Sequence, residues 1–366
     1  MVTTSAARDG CATRLDRVDR VLADIRSGAS GLTPQQTSVR LAVLLSERAN
    51  LSGSDADAYA AQDVAAAALA DGCRHGDLVL TAARVYAENH DLVRATAVLD
   101  QCRDDESIGQ RLIRAGILRQ RGQLAAAAVE YARLIHVAPT WQHLAGLAGV
   151  YQDLTDVETA DALFARAADD IDALQMGAFA WVEVQRAQLR LGRGKLGRAH
   201  QHIARAEIGF GGWRACEQRA RWLVKSGSRT EAVEAYRRLA EMTGRPDHTH
   251  ALADALIRAG RPDEAEVHHE AAGHGYRMAR SPARYRHHFA EFCLDVTRDL
   301  DEALVLAAED YAERPNRHAG QLLAAVLTAR GEAGEARLLR DRLGCEGVTA
   351  NARLRRARIL DCLPRT

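Results

Sequence analysis

Residues 140–167 read TWQHLAGLAGVYQDLTDVETADALFARA. Leu144, Leu147, Ala148 and Tyr151 recur at helical spacing, so one face of a first helix is apolar. Thr155 and Asp156 make a turn. Ala160, Phe164 and Ala167 then form the matching stripe of a second helix. Alanine at 148 and 160 lets the two backbones approach closely, and Tyr151 and Phe164 fill the space beside that contact. The stretch reads as a helical hairpin, and a larger residue at either alanine would overpack its joint.

The same plan recurs along the chain. The second-helix alanine returns as Ala95, Ala127, Ala160, Ala199, Ala232, Ala265, Ala303 and Ala336. Twelve residues before each lies Ala83, Ala115, Ala148, Ala187, Ala220, Ala253, Glu291 or Ala324. Gly122, Gly194, Gly227, Gly260 and Gly331 each stand five residues before the second alanine. A first helix must stop there, and glycine accepts the left-handed conformation that stops it. Pro139 and Pro315 follow second helices, where a helix should not continue. A period in the low thirties with two fixed small-residue slots marks stacked helical hairpins.

The pattern resembles the tetratricopeptide repeat (TPR) family: small and bulky residues in the first helix, a glycine-containing turn, then alanine and an aromatic in the second. The units at Ala115–Pro139 and Leu144–Ala167 match most closely, and those at Ala187–Ala206 and Leu294–Ala303 are looser. The resemblance runs from roughly Asp77 to Leu343. It implies an all-α fold, a right-handed superhelical solenoid of about eight to nine TPR-like hairpins with atypical terminal caps. It also implies a concave surface, lined by first helices, that binds proteins or peptides.

The ends depart from the repeat. Ala12–Ile25 reads as an amphipathic helix and Ser27–Thr33 as a hinge. Thr33–Ala70 reads as a degenerate hairpin split by the polar segment Asn50–Asp57. Thr349–Leu360 reads as a capping helix whose arginines include Arg353, Arg355, Arg356 and Arg358. The expected organisation is an N-terminal helix and hinge at 1–34, the array at 35–345 and a capping helix at 346–366.

Composition narrows the function. Basic and acidic residues balance at 49 each, which argues against nucleic acid as the main partner. There is no apolar run long enough to span a membrane. The cysteines are odd in number, scattered, and form no C-x-x-C, which fits reduced thiols in a cytoplasmic protein. Cys102 and Cys293 read as small buried side chains. No P-loop and no G-x-S-x-G elbow is present, so the chain is expected to be no enzyme and to need no cofactor. The glycine-rich stretch Ile208–Trp213 reads as a helix-ending connection.

Two regions remain for function. By the repeat register, first-helix residues off the apolar stripe face the groove. Those most suited to hold a protein or extended peptide are Trp181, Gln185, Arg214, Arg221, Lys225, Arg258, Tyr285 and Phe292; Thr81 and Arg84 face it too. Aromatics would anchor and arginines would orient the partner. The second region is the histidine-rich stretch between His248 and His288. It lacks an H-x-x-x-H pair, so a metal site would be assembled from neighbouring hairpins, for example His250 and His288 with Asp254 or Glu291. His269 occupies a packing slot. Glu291 breaks the alanine series; the simplest explanation is that Ala290 takes the contact, and the alternative is a polar pocket near His287 and His288. The expected function is a peptide- or protein-binding scaffold. The alternatives are a metal or small-ligand binder using residues 248–288, or an accessory subunit presenting a peptide to an enzyme.

Overall fold

The computed structural model describes residues 10–72, 75–101, 107–172 and 174–356, and among them the regular structure is helical. Three helices come first: α1 (Cys11–Arg26), α2 (Pro34–Ser52) and α3 (Asp55–Ala70). Hairpins follow: α4 (Gly76–Glu88) with α5 (Leu92–Asp100), α6 (Ile108–Gln120) with α7 (Leu124–Val137), and α8 (Trp141–Asp153) with α9 (Val157–Asp169). Next come α10 (Met176–Gly192) with α11 (Leu196–Gly209), α12 (Trp213–Ser226) with α13 (Arg229–Thr243), and α14 (Pro246–Arg258) with α15 (Pro262–Arg277). The last are α16 (Pro282–Phe292) with α17 (Leu300–Glu313) and α18 (Arg317–Ala329) with α19 (Ala333–Arg356).

The alanines are the joints. Every alanine of the two series is at most 1% exposed. The turn slot is equally regular. Gly122, Gly194, Gly227, Gly260 and Gly331 all have positive φ, and so do His90, Thr155 and Arg298, which fill the same slot in the other three hairpins. The left-handed turn is therefore a property of the hairpin, kept even where a side chain makes it costly. A Cβ at Gly227 would meet no atom within 4 Å, so substitution there tests the backbone alone. Gly227→Val is expected to cost about 1–2 kcal/mol in chemical denaturation.

The break at Glu291 has a local cause. A π-helical turn, Cys293–Thr297, follows α16 and takes up one extra residue before Arg298. Ala290, fully buried, occupies the slot that the strict spacing gives to Glu291.

The chain folds as two compact units, each built from two distant stretches. The first combines the described part of Met1–Val85 with Ala168–Gly275; the second combines Tyr86–Ala167 with the described part of Tyr276–Thr366. Helix ends, whose last backbone groups lack intrahelical partners, serve as fasteners within each unit. In the first unit the carbonyl of Asn50, in the last turn of α2, accepts from Trp213 Nε1 at 3.0 Å and Arg214 Nη1 at 2.8 Å. The Cys11 amide donates to the Phe210 carbonyl at 2.9 Å.

In the second unit Glu313 Oε1 accepts the Leu92 amide at the start of α5, 2.9 Å away. Asn316 caps α18 with its Oδ1 and donates Nδ2 to the carbonyl of Gln120, the last residue of α6, at 2.8 Å. Over its described part, the helix expected at 346–366 is the C-terminal portion of α19, with Leu354 buried. The side chains of Arg353, Arg355 and Arg356, the whole of Arg358, and Cys102 lie outside the described residues.

Candidate functional site

The residues expected to face a groove separate into three groups. Arg221, Lys225 and Arg258 are exposed, and Gln185 is half-buried. Arg221 pairs with Glu217 at 2.8 Å, one turn earlier on α12. Trp181 is half-buried and lines a crevice of about 50 Å³ with Cys11, Phe210 and Trp213, large enough only for water.

Arg214, Tyr285 and Phe292 have other work. Arg214 binds both the carbonyl and the Oδ1 of Asn50 and stacks over Trp213, 4.3 Å from the ring centroid. It fastens α12 to α2. Tyr285 and Phe292 are 2% and 3% exposed and pack on Tyr276, at ring-centroid distances of 5.9 and 5.8 Å. The strict spacing, from which the groove residues were drawn, puts Glu291 in the alanine slot, although the break in the series already suggested Ala290. Moving that slot to Ala290 rotates α16 by one residue, about 100°, and turns these aromatics into the core.

A groove in the first unit is larger. It is about 930 Å³ in volume and is bounded by α1, the Ser30–Thr33 turn, α2 and the start of α4. Val21, Ile25, Leu32, Val39, Val43 and Leu80 give it an apolar lining. Arg40 and Arg84, both exposed, stand along it with Thr81, His75 and Asp77. Thr33 and Gln36 hold the mouth of α2 in shape: the Thr33 hydroxyl accepts the Gln36 amide while Gln36 Oε1 accepts the Thr33 amide. Thr81 and Arg84 were legible from the repeat register. The α1 and α2 residues were not, because they lie outside the repeat.

The second unit holds a buried polar network. Asp310, 1% exposed, accepts from His287 Nδ1 at 3.1 Å and from Arg314 Nε at 2.9 Å. Glu291 accepts from His288 Nδ1 at 3.1 Å, and its other oxygen lies 3.5 Å from His287 Nε2. The His287 ring stacks on His318, with centroids 3.9 Å apart. Burial opposes charge on Asp310, but His287 and Arg314 outweigh it and hold the carboxyl down to about 2. Burial also opposes charge on His287, yet its two carboxylate partners raise its pKa. Burial, with the charged His287 beside it, lowers His318 to about 4.

His90, in the left-handed turn between α4 and α5, bonds Gln120 at 2.8 Å. Burial first, then Arg314, pushes its pKa down to about 3. Because His90 stays neutral when folded and takes up a proton when unfolded, acid favours unfolding. This contribution is absent above the unfolded pKa near 6.5 and grows as pH falls toward 3. His318 acts in the same direction over a shorter range. His287 has the opposite sign: its stabilisation is complete below about 6.5 and is lost as pH rises through its elevated folded pKa. The Asp310 contribution, complete above about 4, is lost only below that. Denaturation midpoints are therefore expected to fall between pH 6.5 and 4, and His90→Asn, which tolerates the left-handed turn, should flatten the fall.

The four residues suggested as metal ligands have nearer partners within their own units. His288 and Glu291 pair with each other in the second unit. His250 and Asp254 are joined instead by His269, from the same hairpin; the ligand atoms of these three lie within 4.8 Å of one another.

No family model matches the chain, and no curated protein matches it in sequence. Solved structures do. A chain in the crystal structure of the APC/C hetero-tetramer Cut9-Hcn1 superposes with a TM-score of 0.55 at 12% identity, over 85% of this chain. This chain spans only 59% of that one's length. A Rap protein complexed with Competence and Sporulation Factor matches at TM-score 0.52 and 12% identity, over 87% of this chain and 100% of its own. Both neighbours are TPR proteins. No helix among the described residues is long and apolar enough to cross a membrane. Sequential hairpins, buried alanine joints and these neighbours together define the fold as that of a TPR-type helical repeat.

Proposed function

We propose that the chain is a non-catalytic scaffold that binds an extended, acidic and apolar segment of a protein partner in the α1–α2–α4 groove. The carrying observation is the pairing of an apolar lining with Arg40 and Arg84, which have no ion-pair partner among the described residues. An extended segment sends alternate side chains to opposite faces. One set fits against Val39, Val43 and Leu80, and carboxylates of the other meet the arginines. The neighbours' complexes support a protein or peptide partner in general: Cut9 assembles with Hcn1, and Rap with Competence and Sporulation Factor. Arg221 and Lys225 on α12, with Arg258 on α14 and Gln185 on α10, offer a second contact for acidic groups of that partner.

The test is fluorescence anisotropy of the full chain with labelled peptides that alternate apolar and acidic residues, with basic peptides as controls. Arg40→Glu with Arg84→Glu is expected to weaken binding on the order of tenfold or more, since a charged hydrogen bond contributes about 1.5–3 kcal/mol. Unchanged affinity in a folded double variant, or equal binding of basic peptides, would contradict the assignment.

A further inference from the structure

His250 and Asp254 are one turn apart on α14, so their side chains share a face. His269 reaches the same point from α15, the other arm of the hairpin. The Nε2 atoms of His250 and His269 lie 3.8 and 3.7 Å from Asp254 Oδ1. The two rings meet edge to face, with centroids 5.9 Å apart. These separations are too long for hydrogen bonds. They are close to what a shared cation requires: two ligands about 2.0–2.1 Å from a tetrahedral centre are about 3.4 Å apart. Closing the gap takes a few tenths of an ångström, within the reach of side-chain torsions.

We propose that His250, Asp254 and His269 form a binding site for a divalent transition metal ion, with zinc as the leading candidate. Two imidazoles and one carboxylate suit zinc and its neighbours and do not suit magnesium or calcium, which take oxygen ligands. The site has a closed side and an open side. The histidine side chains are 12% and 18% exposed, whereas Asp254 is 54% exposed. Three protein ligands leave a fourth position for water or for a donor atom from a partner. Both ligating helices belong to one hairpin joined at Ala253 and Ala265, each fully buried, so the ligand spacing is set by a rigid joint. The sequence pointed to His250 and Asp254 but not to His269, which enters only when the two arms of the hairpin are packed. The site shares no residue with the α1–α2–α4 groove, and neither assignment depends on the other.

The experiment is a titration of the untagged, chelator-treated full chain with zinc chloride, read by calorimetry and by competition with a zinc indicator. One equivalent should bind. Asp254→Asn and His269→Ala should each weaken binding on the order of tenfold or more, since loss of even an outer-shell partner commonly costs about 10–100-fold. His288→Ala should leave it unchanged. Asp254→Asn alters an exposed side chain and keeps the test valid should His269→Ala fail to fold. No stoichiometric binding, or binding unaffected by Asp254→Asn, would overturn the proposal.

Discussion

Asp310→Ala is expected to destabilise the protein by about 3–5 kcal/mol, the usual cost of removing one partner from a buried ion pair. The side chain is 1% exposed and accepts hydrogen bonds from His287 and Arg314, themselves 5% and 7% exposed. Removing the carboxylate leaves the buried Arg314 without its carboxylate partner and His287 with Glu291 alone. Asp310→Asn keeps an acceptor but removes the charge, so its loss should be smaller. Pairing Asp310→Ala with Arg314→Leu should recover part of the stability, because an apolar pair avoids the uncompensated charge. Urea denaturation of the single and double variants reads each effect, and equal losses in Asp310→Ala and the double variant would refute this explanation.

Gly146→Ala is expected to cost about 2–3 kcal/mol, even though alanine is the better helix former by about 1 kcal/mol. A Cβ at this position of α8 would overlap the ring of Tyr131 on α7. The ring is 4% exposed and cannot swing into solvent without opening the interface. Gly192→Ala, where a Cβ meets nothing within 4 Å, is the control and should be neutral or mildly stabilising. Tyr131→Leu in the Gly146→Ala background should restore part of the loss. Thermal denaturation of the double-mutant cycle measures the coupling, and strict additivity would show that the two residues do not collide.

Much of the hairpin fold was legible because its rules act over short distances. Alanine spacing reports where two helices touch, and the glycines report where the first helix ends. The turn at Thr155 was read from the hairpin around it, whereas those at His90 and Arg298 were not, since no glycine marks them. The one-residue shift before Arg298 was legible from the break at Glu291, but the π-helical turn that makes it was not, since such a turn has no distinctive composition. It misdirected the reading of Tyr285 and Phe292, which the shift buries. The fasteners within each unit were also hidden. Asn50 with Arg214, and Gln120 with Asn316, join helix ends some 160–200 positions apart, and no local pattern connects them. For the groove, the repeat register supplied Thr81 and Arg84, whereas Val39, Arg40 and Val43 belong to a hairpin without that register. His250 and Asp254 were visible as neighbours on one helix, and His269 was not.

The scaffold assignment is tested most directly by photo-cross-linking. An acidic and apolar peptide selected for binding to the full chain, carrying a benzophenone at an apolar position, would be irradiated in the complex and its adducts mapped by mass spectrometry. Adducts concentrated in residues 21–43 and 75–84, and lost with Arg40→Glu and Arg84→Glu, are the predicted result. A saturable complex whose adducts fall outside those two segments would contradict it.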